Sequence, residues 1–214
     1  MTTPERDPPR RRLLAIYRQA AAAGLIGGQS GNLSLRIEGG MLITPSGARA
    51  ETCTEADLVA MALDGAVPPG AGRRPSSEAP MHAAIYAARP AAGAILHAHS
   101  DAATALACLN RGLPAFHYMV TRFGAAEIAC APYVTFGTPA LAAACLAALG
   151  QARACLLANH GMIVHAADAE AVLADAILLE TLARQYLLAA AAGTPRLLSP
   201  TEIAEAVERF KNYG

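Results

Sequence analysis

Apolar residues along this chain fall into blocks whose spacing switches between the periods of helix and strand. Residues 13–23 read as an amphipathic helix closed by Gly24, after a polar, proline-rich stretch, residues 1–9, that reads as a mobile arm. Leu33, Leu35 and Ile37 then alternate with Ser34 and Arg36, the pattern of a half-buried strand. Gly39-Gly40 turns the chain into a second short strand, residues 41–43. Ala94-Ile95-Leu96 and residues 154–158 are unbroken apolar runs, short enough for buried strands. Helices are expected over residues 79–88, 101–110, 138–150, 169–193 and 201–210. Ser100 and Asp168 stand where N-caps belong, and Thr138-Pro139 with Gly150 follows the proline-at-start, glycine-at-end asymmetry. Helices and short strands alternate without a regular βα repeat, which argues for a sheet sandwiched between helices.

Composition narrows the function. A chain of 214 residues suits one domain with a substantial core, here residues 10–214. Seventeen basic and seventeen acidic residues cancel, so no global field draws the chain to nucleic acid or to an anionic membrane. The longest hydrophobic region, residues 169–192, is interrupted by Glu170, Asp175, Glu180 and Arg184, as a helix of a soluble protein is. Five scattered cysteines without a CxxC pair read as core residues in a reducing cytoplasm. Lys211 is the only lysine, and its place near the C-terminus makes it a poor Schiff-base nucleophile.

Histidines carry the candidate chemistry. In a strand, residues i and i+2 share a face, so His97-Ala98-His99 presents two imidazoles side by side. His160 follows the second apolar run and precedes Gly161. Three imidazoles from two strand ends match the ligand set of a zinc site that keeps one position open. Glu78, in Ser76-Ser77-Glu78, reads either as an acid in the first turn of a helix capped by Ser76 or Ser77, or as a metal ligand or proton carrier. His82, His117 and His165 read as packing histidines, because a catalytic zinc needs only three protein ligands. Gly31-Asn32, Ser46-Gly47 and Ser76-Ser77 are small-residue loops whose N–H groups and hydroxyls suit an anion of the phosphomonoester kind.

Taken in order, Ser30-Gly31-Asn32, Thr44-Pro45-Ser46-Gly47, Ser76-Ser77-Glu78, His97-Ala98-His99-Ser100, His117-Tyr118-Met119 and Asn159-His160-Gly161 resemble the class II aldolase/adducin family. Cys130-Ala131-Pro132-Tyr133, Thr135-Phe136-Gly137-Thr138 and Phe210-Lys211-Asn212-Tyr213-Gly214 extend the likeness over residues 10–214. The resemblance implies a three-layer αβα domain of the α/β class with a largely antiparallel central sheet. It implies Zn2+ on His97, His99 and His160, with Glu78 as a further ligand in the empty enzyme. It also implies phosphate bound by Gly31, Asn32, Ser46, Gly47, Ser76 and Ser77.

The implied activity is an aldehyde-lyase reaction on a ketose 1-phosphate such as L-fuculose 1-phosphate, releasing dihydroxyacetone phosphate. Glu78 would protonate C3, and Tyr118 of a neighbouring subunit would take the C4 hydroxyl proton. Tyr213 would be a tail residue serving the same site of a cytoplasmic homotetramer with interfacial sites, partnered by a sugar phosphate rather than nucleic acid or membrane. Two alternatives are set against this. A ribulose-5-phosphate 4-epimerase of the family carries a carboxylate shortly after the tyrosine, and residues 119–123 have none. An adducin-like binding module loses the metal ligands that this chain retains. Bulk just past Tyr118, in Thr121-Arg122-Phe123, would reshape the aldehyde end of the pocket. Phe123 points to an apolar aldehyde tail, as in 5-deoxyribulose or 5-methylthioribulose 1-phosphate, while Arg122 reads equally as facing solvent or a neighbouring subunit.

Overall fold

Among the described residues, seven strands form a single sheet covered by helices on both faces. The structure, a computed structural model, describes residues 9–69 and 72–211. In chain order its elements are α1 (Pro9–Ala22), β1 (Asn32–Ile37), β2 (Gly40–Ile43), β3 (Val59–Met61), α2 (Ala79–Ala88), β4 (Ala94–Ala98) and α3 (Asp101–Cys108). There follow β5 (Cys130–Ala131), α4 (Pro139–Leu149), β6 (Ala154–Leu157), β7 (Gly161–Ala166), α5 (Ala169–Ala192) and α6 (Pro200–Lys211). A 3-10 segment, Tyr118–Phe123, lies between α3 and β5.

The strand order is β3-β2-β1-β4-β7-β6-β5. Neighbours are antiparallel except β5 and β6, so the sheet is largely antiparallel as expected. Because side chains alternate along a strand, each strand feeds two cores. Leu33, Leu35, Leu96, Met162 and Val164 pack with α1, α3 and α5 on one face. Met41, Ile43, Ile95, Cys155 and Ile163 pack with α2 and α4 on the other. Burial on both faces is why β4 and β6 are apolar without alternation.

Local signals hold at several boundaries. Asp168 accepts from the Ala171 amide at 2.8 Å, and Thr138 from that of Leu141 at 3.2 Å. Others are decided at a distance. Helix α1 starts at Pro9, earlier than the apolar period suggests, because Arg10 reaches the carbonyl oxygens of Glu55 and Leu58 at 2.8 and 2.7 Å. The rest of the expected arm, residues 1–8, lies outside the described residues. Ser100 occupies the N-cap of α3, yet its hydroxyl makes no capping bond. The Glu180 carboxylate takes that place, accepting from Ala102 and Ala103 at 2.9 Å each. Cys53, Cys145 and Cys155 are buried as read, whereas Cys108 is exposed, and all five cysteines are free. No described helix is long and apolar enough to cross a membrane.

Candidate active site

One end of the sheet gathers the chemistry. His97 lies in β4 and faces α2, as Ile95 does two residues earlier, and His99 follows at the strand exit. His160 sits in the tight β6–β7 connection, where Asn159 takes the left-handed conformation (φ 54°) that asparagine tolerates. Gly161 is needed there for space, since a Cβ would lie 2.3 Å from the Ala98 carbonyl oxygen and 3.0 Å from His99 Cδ2. Glu78 is itself the N-cap of α2, placed by the preceding turn, in which Ser76 Oγ accepts from the Glu78 amide at 3.3 Å. Ser76 and Ser77 therefore do not cap the helix.

Ligand atoms of Glu78, His97, His99 and His160 all lie within 4.8 Å of one another. His97 Nε2 is 2.9 Å from Glu78 Oε2 and 2.8 Å from His99 Nε2, and His160 Nε2 is 3.1 Å from Glu78 Oε1. The three rings are mutually edge-on, with centroids 4.8 to 4.9 Å apart. His97 Nδ1 lies 2.8 Å from the Met162 carbonyl oxygen, to which it donates, so Nε2 presents a lone pair. Lone pairs and a carboxylate oxygen at such distances repel unless a cation or proton sits among them. Zinc bonds of about 2.0–2.1 Å place tetrahedral ligands about 3.3 Å apart, close to this spacing. Glu78 Oε1 is buried without a hydrogen bond of acceptable geometry, a further sign that the cluster fits a metal ion.

Electrostatics agree. Burial pushes the Glu78 carboxyl up, but the neighbouring imidazoles of His97 and His160 outweigh this when they carry positive charge and hold it well below the usual range, so the cluster favours a cation beside the carboxylate. Burial first, then His97 and His160, lower His99 to about 4, leaving the neutral ring that metal ligation requires.

Above the cluster opens a cavity of about 330 Å³. Gly31, Asn32, Ser46, Gly47, Ser76, Ser77, Glu78, His99 and His160, read separately from the sequence, all line it. His97 lies behind them, fully buried. The backbone amides of Ser46 and Ser76 are engaged by the carbonyls of Arg74 and Thr44, so these serines offer hydroxyls rather than N–H groups. The N–H groups of Gly31, Gly47 and Ser77 make no hydrogen bond among the described residues. Asn32 spends one amide N–H on Glu78 Oε2 at 3.1 Å. Sequence reasoning gave no role to Tyr133, Val134 and Phe136, which form the far wall. Both aromatics are exposed, and their signal was that they stand in two of the segments that carry the family resemblance, to which no role was attached.

Residues 11–187 match the family model of the class II aldolase and adducin N-terminal domain. The chain belongs to this family. It is 42% identical over 202 residues to the 5-methylthioribulose-1-phosphate/5-deoxyribulose-1-phosphate aldolase of Rhodospirillum rubrum, covering 94% of this chain and 90% of that one. It is 41% identical over 211 residues to the L-fuculose phosphate aldolase of Escherichia coli, covering 98% and 97%. A solved L-fuculose 1-phosphate aldolase matches with a TM-score of 0.91 at 36% identity, over 97% of this chain and 98% of that one.

Several residues singled out in this family member lie away from the cavity. Tyr118 opens the 3-10 segment with its side chain exposed, beside α6. Phe123 is fully buried in the core, so it lines no substrate pocket and the inference drawn from its bulk is withdrawn. Arg122 is exposed beside Tyr118. Tyr213 lies outside the described residues. His117 caps the 3-10 segment, accepting from Met119 at 3.1 Å. Burial lowers both His82, to about 3, and His165, so both are neutral interior rings.

Proposed function

We propose that this chain is a zinc-dependent class II aldolase that cleaves a ketose 1-phosphate into dihydroxyacetone phosphate and an aldehyde. The observation that carries this is the Glu78, His97, His99 and His160 cluster, set at the floor of a cavity rimmed by uncharged hydrogen-bond donors. Three imidazole nitrogens are the donor set of a catalytic zinc that keeps a position for substrate, and Glu78 is the fourth ligand of the empty enzyme, which the substrate displaces. The N–H groups of Gly31, Gly47 and Ser77, with the hydroxyls of Ser46 and Ser76, receive the phosphate and fix the ketose by one end. Zinc held by the three histidines supplies Lewis acidity for the negative charge that develops on the substrate as its C3–C4 bond breaks.

The chain's own groups move the protons. Tyr118 of a neighbouring subunit takes the C4 hydroxyl proton, and the C4 fragment leaves as the aldehyde. Glu78, displaced from the cluster when substrate binds and protonated from solvent, gives that proton to C3, completing dihydroxyacetone phosphate; in the synthetic direction it removes that proton. Tyr213, outside the described residues, is assigned to the same site by the family resemblance alone. Exposure of Tyr118 away from its own cavity supports a homotetramer with interfacial sites, and five free cysteines support a cytoplasmic setting.

The test is a panel of ketose 1-phosphates, including L-fuculose, 5-deoxyribulose and 5-methylthioribulose 1-phosphate, scored for dihydroxyacetone phosphate. Release by the zinc-loaded protein, abolished by chelation and restored by zinc, is expected. No release from any member by protein carrying stoichiometric zinc overturns the reading.

A further inference from the structure

Helix α2 carries Glu78 at its start, yet its own apolar contacts give it little reason to stop at one position along the sheet. Half of its ten residues, Ala79 to Ala88, are alanine, and Met81, Ala83, Ile85 and Tyr86 pack into the core shared with α4. Apolar contact is non-directional, and a shift of one turn exchanges Ala79 for Ala83, Ala83 for Ala87 and Met81 for Ile85, apolar side chains of similar size. A slip of one turn would move Glu78 about 5.4 Å, beyond reach of the histidines.

A polar ladder opposes such a slip. Residues 32, 34 and 36 of β1 share one face of the strand, and residues 78, 82, 86 and 89 follow one side of α2 into its C-cap. Asn32 donates to Glu78 at 3.1 Å. Ser34 Oγ lies 2.7 Å from His82 Nδ1 and 3.0 Å from the Tyr86 hydroxyl. Arg36 donates to the carbonyl oxygens of Tyr86 and Arg89 at 2.8 and 3.0 Å, with its guanidinium 4.7 Å from the Tyr86 ring centre. Ser34, His82 and Tyr86 are buried, so each bond is made where water cannot replace it. The network even leaves His82 Nε2 without a partner among the described residues, a cost that an apolar side chain would not carry.

We propose that Ser34, His82 and Tyr86 are positioning residues: through them β1 fixes the register of α2 and so aims Glu78 at His97 and His160. Resting on the metal-centre reading above, this role makes zinc affinity depend on side chains that never touch the metal. Removing such supporting partners typically weakens metal binding by about 10–100-fold.

Ser34→Ala, Tyr86→Phe and His82→Leu are measured for zinc affinity by chelator competition, for the visible spectrum of the cobalt-substituted protein, and for kcat and KM. Weaker metal binding, an altered cobalt spectrum and a fall in kcat at unchanged KM are expected. His82→Asn, which returns a polar atom near the position of Nδ1, should restore much of the affinity. Asp175→Asn is the control, because it removes a buried partner of Arg153 (3.0 Å) at a distance from the site and should lower stability alone. Should Ser34→Ala or His82→Leu prove unfolded, Tyr86→Phe, which removes one hydroxyl, carries the test. Variants that lose stability as Asp175→Asn does, yet bind zinc with wild-type affinity and spectrum, overturn the positioning role. A wild-type chain that binds no zinc overturns the metal reading itself, and this role with it.

Discussion

Tyr118 stacks on Phe210 with ring centroids 5.9 Å apart and planes inclined by 21°, and neither ring lines the cavity above Glu78. His117 adds a third ring at 4.8 Å. A tyrosine held this way on the outside of its own chain serves a site only if that site belongs to a neighbour. Tyr118→Phe and His97→Ala proteins, each inactive alone, are therefore expected to regain activity when unfolded and refolded together. Random assortment in a symmetric oligomer leaves roughly a quarter of sites with both groups intact. Steady-state rates of the mixture check this, and a mixture no more active than its parts rules out a shared site.

The three histidines should be individually indispensable to the metal. His97→Ala, His99→Ala and His160→Ala are each expected to lose zinc and activity while keeping the circular dichroism of the parent. Elemental analysis finding stoichiometric zinc in the His160→Ala protein would remove that residue from the ligand set.

Glu78 carries a different burden. Glu78→Gln is expected to keep zinc on the three imidazoles but to slow cleavage by about 10²–10⁴-fold, the usual contribution of a general acid–base group. Exchange of solvent hydrogen into dihydroxyacetone phosphate should slow with it. Undiminished exchange would assign the proton to another group.

Phe123 sits in the core at 0% exposure. Phe123→Ala is thus expected to cost about 3–5 kcal/mol of stability, as large-to-small changes at buried aromatics do. The ratio of kcat/KM between fuculose and 5-deoxyribulose 1-phosphates should stay unchanged. Urea unfolding and the two rate constants test both halves, and a switch in substrate preference without destabilisation would return Phe123 to the pocket.

His82 makes the apo protein acid-sensitive. Burial lowers its pKa to about 3 in the folded chain, against about 6.5 when unfolded. Between those values the unfolded state binds a proton that the folded state does not, so this group's share of stability is present above about pH 6.5 and is lost as pH falls toward 3. Replacing it by asparagine should flatten the slope of unfolding free energy against pH in that window, by up to about 1.4 kcal/mol per pH unit. Parallel slopes for the two proteins would show that His82 does not titrate on unfolding.

What the sequence determined by itself were relations between residues near one another in the chain. The two-residue period of a strand puts His97 and His99 on one side of β4, and Asp168 and Thr138 cap helices through bonds to amides three residues on. The motif order was enough to read the family and to gather nine cavity residues from separate loops. Only the tertiary structure decided which distant group answers each local need. Ser100 stands in the capping position, but Glu180, far along the chain, makes the capping bonds. Asn32 reads as a phosphate donor, yet its amide also holds the Glu78 carboxylate. Phe123 and Tyr118 stand five residues apart in one short segment, and the first is buried while the second is exposed. A backbone period fixes where side chains point relative to one another; burial and partner depend on what folds against them, and that is set by packing across the whole chain.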